Sequence, residues 1–472
     1  MSQAELLRGS TQRLHANALT TREIISASLA NVAPAMSFFF SFGLIVAGAG
    51  LASPLTLVVA AIAMLFHANT IAEFTKSMPS TGSYVSFIGK TFGGALGIIT
   101  ALTIAFGYIL AIGSVMVMLG NWTAVILEKF LNIYIPWQII TFGFVVLVGY
   151  LVISGVKLST KWAVRVFLFE LLLLLISAFA MIVGNAKDIS FASFNPLNMS
   201  HGLTGLGLGF PIAVFMFIGV GNSAPMAEET ENPRKSVPKA IYSTVLLAAV
   251  LYIFMAWATT IGFHNDVNAM AQSPVPFVAA GSAVLGSFSI LVYLAGFTST
   301  FASMIGATNG QTRMIFSAAR EGLLPSVLSK VSKKKTPWAA ITFYLTVGLF
   351  ITLVWGSIVG PVNLFDYLGT FGGIPITLTY IVVNFALPVY YWRHHRDSFS
   401  WLRHFITPIL GILTLILPMW GLIQPGQTSP YNVFPGIVFG YLVIAIVYGI
   451  WLNAKKPHLK DLVGSIIADQ HE

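Results

Sequence analysis

The 472 residues are 56% hydrophobic and 9% charged with a mean hydropathy of +0.83, which excludes an ordinary water-soluble globular fold. Cysteine is absent, so disulfides and thiolate chemistry are excluded. The net charge of +9 would point to nucleic acid in a soluble chain, but here the basic residues sit in short segments between apolar runs, the pattern of membrane topology.

The first 20 residues have no apolar core and no processing pattern, so no cleaved signal peptide is expected. Apolar runs long enough to cross about 30 Å of hydrocarbon then follow near 23–49, 54–77, 92–126, 136–154, 163–184, 205–228, 240–262, 281–316, 338–359, 364–391, 405–421 and 430–452, twelve in all. An even number puts both termini on one side. With that side cytoplasmic, 23 of the 25 Lys and Arg fall in inner segments, among them Arg8, Arg13, Arg234, Arg313, Arg320 and Lys333–Lys335, and only Lys129 and Lys187 fall outside. A wrong count would scramble this bias.

Spans one and six carry polar and helix-breaking residues at mid-membrane depth. The first reads SASLANVAPAMSFFFSFG from Ser26 to Gly43, and the sixth reads FMFIGVGNSAP from Phe215 to Pro225. Pro34 removes an N–H and clashes with the preceding turn. Broken membrane helices strand backbone groups and are tolerated where those groups line a cavity or bind something. Corresponding interruptions five spans apart point to an inverted repeat with a central binding site, although a plain kink leaves the same local mark.

Further along, EETENPRKSVPKA from Glu228 to Ala240, NGQTRMIFSAAREGLLP from Asn309 to Pro325 and KTPW from Lys335 to Trp338 complete a recognisable set, with EFTKSMPSTGSY after span two and GVKLS before span five. From Thr21 to Leu452 the chain resembles the amino acid–polyamine–organocation superfamily. The resemblance implies an all-α membrane protein with the leucine-transporter-like five-plus-five inverted repeat and two further helices. The division would be a cytoplasmic tail over 1–20, a first repeat over 21–200, a second over 201–400, two added spans over 401–454 and a cytoplasmic tail over 455–472.

In such transporters the substrate's amino group meets carbonyls at the breaks of helices one and six, and its carboxylate meets N–H groups at a glycine-rich break in helix one. The substrate-binding candidates so implied are Val32, Ala33, Ala35, Met36, Ser37, Phe38, Tyr108, Phe215, Phe217, Gly219 and Asn222. The family's Gly-x-Gly falls on Ala33-Pro34-Ala35, and Pro34 cannot donate, so the carboxylate cradle is altered. Ser37 either supplies a compensating hydroxyl or only bonds back to its own helix. Phe215 falls on the aromatic gate position, where a ring can close over a substrate and face an ammonium. Some relatives carry an acid at the position of Gly221.

Glu170, in RVFLFELLLLLI, lies about two turns inside an apolar run, where an isolated carboxylate is functional by default. Several relatives place a lysine there, in the volume of a sodium ion in sodium-coupled members. Three readings stay open. Glu170 carries a proton; it stays ionised beside a cation held with Ser299 and Ser303; or it pairs structurally with an arginine or an exposed amide. These residues, with Phe215, are the coupling and gating candidates.

Other features read plainly. His67 is expected to be a satisfied buried imidazole, Asp366 to lie near the outer end of span ten, and GLGLG at 205–209 is no dinucleotide fingerprint. No metal-ligand spacing occurs, and no cofactor is implied. The resulting expectation is a secondary transporter of amino acids in the cell (inner) membrane, proton-coupled or exchanging, and not an enzyme. Its partners would be a small molecule, the bilayer and a proton, with no nucleic acid and the oligomeric state open. A polyamine or monoamine carrier is the same-class alternative, and a channel or sensor the outlying one.

Overall fold

The computed structural model describes residues 14–200 and 202–468; Arg8 and Arg13 of the N-terminal tail lie outside them. Helices dominate. In chain order they are α1 (Thr21–Val32), α2 (Pro34–Ala49), α3 (Ser53–Ser77), α4 (Tyr84–Phe92), α5 (Gly94–Leu131) and α6 (Trp137–Ile153). Then come α7 (Val156–Gly184), α8 (Leu203–Phe215), α9 (Pro233–Gly262), α10 (Val267–Gln272), α11 (Pro276–Leu285) and α12 (Ile290–Arg320). The chain closes with α13 (Trp338–Val359), α14 (Pro361–His394), α15 (Thr407–Ile423), α16 (Phe434–Lys455) and α17 (Leu459–Leu462).

Among the described residues, 11 helices are long and apolar enough to cross a membrane, with α1 and α2 taken as one interrupted span and α8 joined to the 3-10 segment Val220–Glu229. Helix α6 is apolar but shorter, at 17 residues. The protein is an all-α, multi-pass integral membrane protein. Its outer surface says the same: Ile139, Phe142, Val146 and Tyr150 form one stripe of α6, each more than half exposed, which water would not tolerate and lipid does.

Local signals start the helices. Thr20 and Glu23 form a capping box ahead of α1, the Thr20 N–H donating to the Glu23 carboxylate at 2.9 Å. Proline occupies the first turn of α2, α3, α9, α11, α14, α15 and α16, where its missing N–H has no intrahelical partner to lose.

Two boundaries differ from the sequence reading. The run over 281–316 is not one helix, because α11 ends at Leu285, Gly286 turns the chain at φ +53°, and α12 restarts at Ile290. Hydrophobicity cannot register such a turn, since Ser-Phe-Ser remains compatible with a membrane interface while glycine adopts the left-handed conformation freely. Helix α7 begins at Val156 rather than near 163, which sets Glu170 about four turns inside it.

Both described ends meet the same face of the bundle. The Leu19 N–H donates to the Glu229 carbonyl (2.8 Å), and the Ala468 N–H donates to the Pro79 carbonyl (2.9 Å). Arg234 crosses this face to the carbonyls of Lys76 (2.7 Å) and Ser77 (2.8 Å), satisfying the end of α3. The C-terminal segment is packed in: Val463 is fully buried, and a methyl group on Gly89 of α4 would lie 2.1 Å from its Cγ1.

Glu321, just beyond α12, is buried beneath this segment. Burial pushes its carboxyl up to about 7, against the downward pull of the Gly464 amide and Arg320. With the docked value above the ordinary 4.5, docking is strongest at acid pH and weakens as pH rises toward about 7. Because cysteine is absent, a spin label on a single cysteine at Ser465 reads the segment alone. Its immobilised population should fall about tenfold relative to the mobile one between pH 6 and 8, and Glu321→Gln should remove that dependence.

Candidate functional site

Span one breaks at a single residue. Ala33 sits in the left-handed region (φ 53°, ψ 66°), ending α1 at Val32 and letting α2 start at Pro34. For a residue with a Cβ this conformation costs about 1–2 kcal/mol, so the surroundings must hold it. They do so group by group. The Ala33 N–H donates to Ala30 O (3.2 Å), and the hydroxyls of Ser303 and Ser37 donate to Asn31 O (3.1 Å) and Val32 O (2.7 Å). On the other side of the break, the Ala35 N–H donates to Glu170 Oε1 (2.9 Å) and the Met36 N–H to Ser299 Oγ (3.2 Å).

Span six breaks over several residues. Helix α8 ends at Phe215, Gly219 takes φ +103°, and the chain continues as a 3-10 segment from Val220 to Glu229. Tyr252 of α9 donates to the freed Met216 carbonyl (2.9 Å), and the Tyr380 hydroxyl of α14 lies against the Gly219 amide. The Asn31 amide of α1 donates to Gly219 O at 3.3 Å, and a methyl group on Gly219 would sit 2.3 Å from that nitrogen. The two breaks are thus in direct contact, and glycine is required there both by its dihedral angle and by the close approach of Asn31.

The structure brings Val32, Ala33, Ala35, Met36, Ser37, Gly219, Glu170, Ser299 and Ser303 into one buried cluster at the two breaks. Asn222 turns toward α12, donating to Gly306 O at 3.0 Å. Phe38 and Phe217 belong to an aromatic layer beside the breaks. Phe38 stacks on Phe42 at 4.6 Å, and Phe38 and Phe217 both pack against Tyr252. Phe215 is half-buried against a separate cluster that includes Leu110, Phe371 and Leu422. Tyr108 lines a narrow crevice with Val85, Gln311 and Met314. Asp366 is exposed, as read from the sequence. His67 is buried and bonded through Nδ1 to Asn384 (3.0 Å), but its Nε2 has no hydrogen-bond partner among the described residues.

Sequence reasoning missed several members. Asn31 was legible as an amide in an apolar run, whereas Tyr252 and Tyr380 carry no local signal. Arg313 and Arg320, read from the sequence as basic residues of inner segments, also have acidic partners: Arg313 is fully buried in an ion pair with Glu229, and Arg320 pairs with Glu228. Arg313 also donates to Asn309 O at 2.5 Å. The pairs join the end of broken span six to α12.

A family profile, amino acid permease, matches residues 23–464. The chain belongs to the amino acid permease family. It is 30% identical over 335 residues to the branched-chain amino acid permease BcaP of Bacillus subtilis, covering 66% of this chain and 68% of that one. It is 26% identical over 405 residues to a methylthioribose transporter of the same organism (81% and 82%). With the aromatic amino acid transport protein AroP of Corynebacterium glutamicum it shares 24% over 455 residues (90% and 93%). This permease is therefore a multi-pass cell-membrane protein for secondary transport of small molecules, not an enzyme.

Removing one partner of a buried ion pair leaves an uncompensated charge, at a cost of roughly 3–5 kcal/mol. Arg313→Met should lower the thermal unfolding midpoint in detergent sharply. Adding Glu229→Leu should restore most of it, because the pair rather than either charge is tolerated there.

Proposed function

We propose that this permease carries amino acids across the cytoplasmic membrane by alternating access, as a twelve-span protein with a five-plus-five inverted repeat and both termini cytoplasmic. The observation that carries the reading is the contact of two broken helices, five spans apart, through Asn31 and Gly219. Discontinuous helices meeting at mid-membrane place polar backbone groups where a solute can exchange for water, and rocking of the paired repeats exposes that point to each side in turn. Helix α6, at 17 residues, supplies the twelfth span near the lower limit of crossing length. The basic bias of the segments on the face that holds both ends supports its cytoplasmic placement. Names among the relatives, branched-chain and aromatic amino acid permeases, support amino acids as the substrate class.

Coupling is assigned to Glu170. It is fully buried at the break of span one, and its carboxylate contacts the backbone that must rearrange when the site opens. A proton taken up there weakens its hold on the Ala35 N–H, since a neutral carboxyl accepts less strongly than a carboxylate. That ties the proton to the conformational step.

Counterflow uptake of labelled amino acids in proteoliposomes tests both parts. An inward proton gradient should raise uptake several-fold in the natural protein and leave Glu170→Gln unchanged. Uptake indifferent to gradient and substitution alike would make Glu170 a structural residue and the carrier an exchanger.

A further inference from the structure

We infer that the anion-binding pole of the span-one break is filled by the protein's own Glu170 carboxylate, so that the transported molecule is recognised without a carboxylate contact there. This rests on the transport reading above and narrows its substrate class to small primary amines. Amino acids would be held by their amine and side chain, with decarboxylated and carboxyl-blocked analogues accepted alongside them.

Every N–H donor at the start of α2 is already accounted for within the protein. A helix N-terminus binds anions through its first free N–H groups and the positive end of its dipole. At the start of α2, Pro34 has no N–H, and the Ala35 N–H is taken by Glu170 Oε1 at 2.9 Å. The Met36 N–H is taken by Ser299 Oγ at 3.2 Å, and the Ser37 N–H by Ala33 O at 2.8 Å. No donor at this terminus is left for a ligand carboxylate.

Charge points the same way. Glu170 is 0% exposed, and its second oxygen has no hydrogen-bond partner among the described residues. No lysine, arginine or histidine forms an ion pair with it among those residues. A ligand carboxylate brought to this point would find no cation, whereas the unpaired oxygen of Glu170 offers an amine an acceptor. Ala33-Pro34-Ala35 and Glu170 therefore act together: the proline removes a donor from the cradle, and the acid occupies what remains.

The test uses the unmodified protein in proteoliposomes. Labelled amino acids are taken up by counterflow against unlabelled competitors that keep the side chain and amine but carry an amide, a methyl ester or no carboxyl group. Labelled forms of the same amines are assayed directly. A carboxylate contact that mattered would show as roughly a tenfold or greater loss of competition, whereas the filled cradle predicts half-inhibition within about threefold of the parent amino acid. Amino acid uptake that amides and amines fail to inhibit would overturn this inference and leave the transport reading standing. Uptake of amines without amino acids would support the inference and overturn the amino acid reading. Uptake of neither would overturn both.

Discussion

A backbone N–H in hydrocarbon has no water to fall back on, and the break at Ala33 releases several such groups at once. Everything around it answers that demand. Glu170 comes from α7, Ser299 and Ser303 from α12, Ser37 from the restarted helix itself, and Asn31 reaches across to the second break. Three segments distant in sequence are thereby tied to one left-handed alanine. The tie is polar and directional in a largely apolar interior. It therefore specifies how the broken spans sit, where apolar packing alone would allow several arrangements.

The charged residues follow the same economy. The face where both described ends meet is rich in lysine and arginine, yet part of that charge is spent inside the protein. Arg313 neutralises Glu229, Arg320 holds Glu228, and Arg234 caps α3. A buried pair of this kind adds little net stability compared with apolar side chains of the same shape. What it provides is a fixed registration of the end of span six against α12.

How much of this was legible can be followed residue by residue. The apolar runs, the interruptions at Pro34 and Gly219 and the buried position of Glu170 follow from composition and local chemistry, since each is a polar or helix-breaking residue in a segment that otherwise has none. The partner of Glu170 was narrowed to three options and not chosen, because an acid in an apolar helix can be satisfied by a proton, a cation or an amide, and only the neighbouring helix says which is present. The Gly286 turn inside the run over 281–316 was missed because hydrophobicity is blind to a glycine's dihedral angle. The Arg313–Glu229 pair was missed because a basic residue near the end of an apolar run is equally compatible with a loop and with a buried ion pair.

The sequence by itself determined the class of protein, the positions of most of its apolar segments and the places where helices one and six must break. Those properties depend on transfer free energy and backbone chemistry, which act along the chain. Only the tertiary structure decided that the two breaks touch through Asn31 and Gly219, that Glu170 answers the Ala35 N–H, and that Phe38 and Phe217 fill an aromatic layer with Tyr252. Those outcomes depend on which helix faces align when many mostly apolar segments pack together. Lipid is as apolar as the helix surfaces, so that alignment is set by small residues and a few polar contacts between distant segments, none of which is encoded locally.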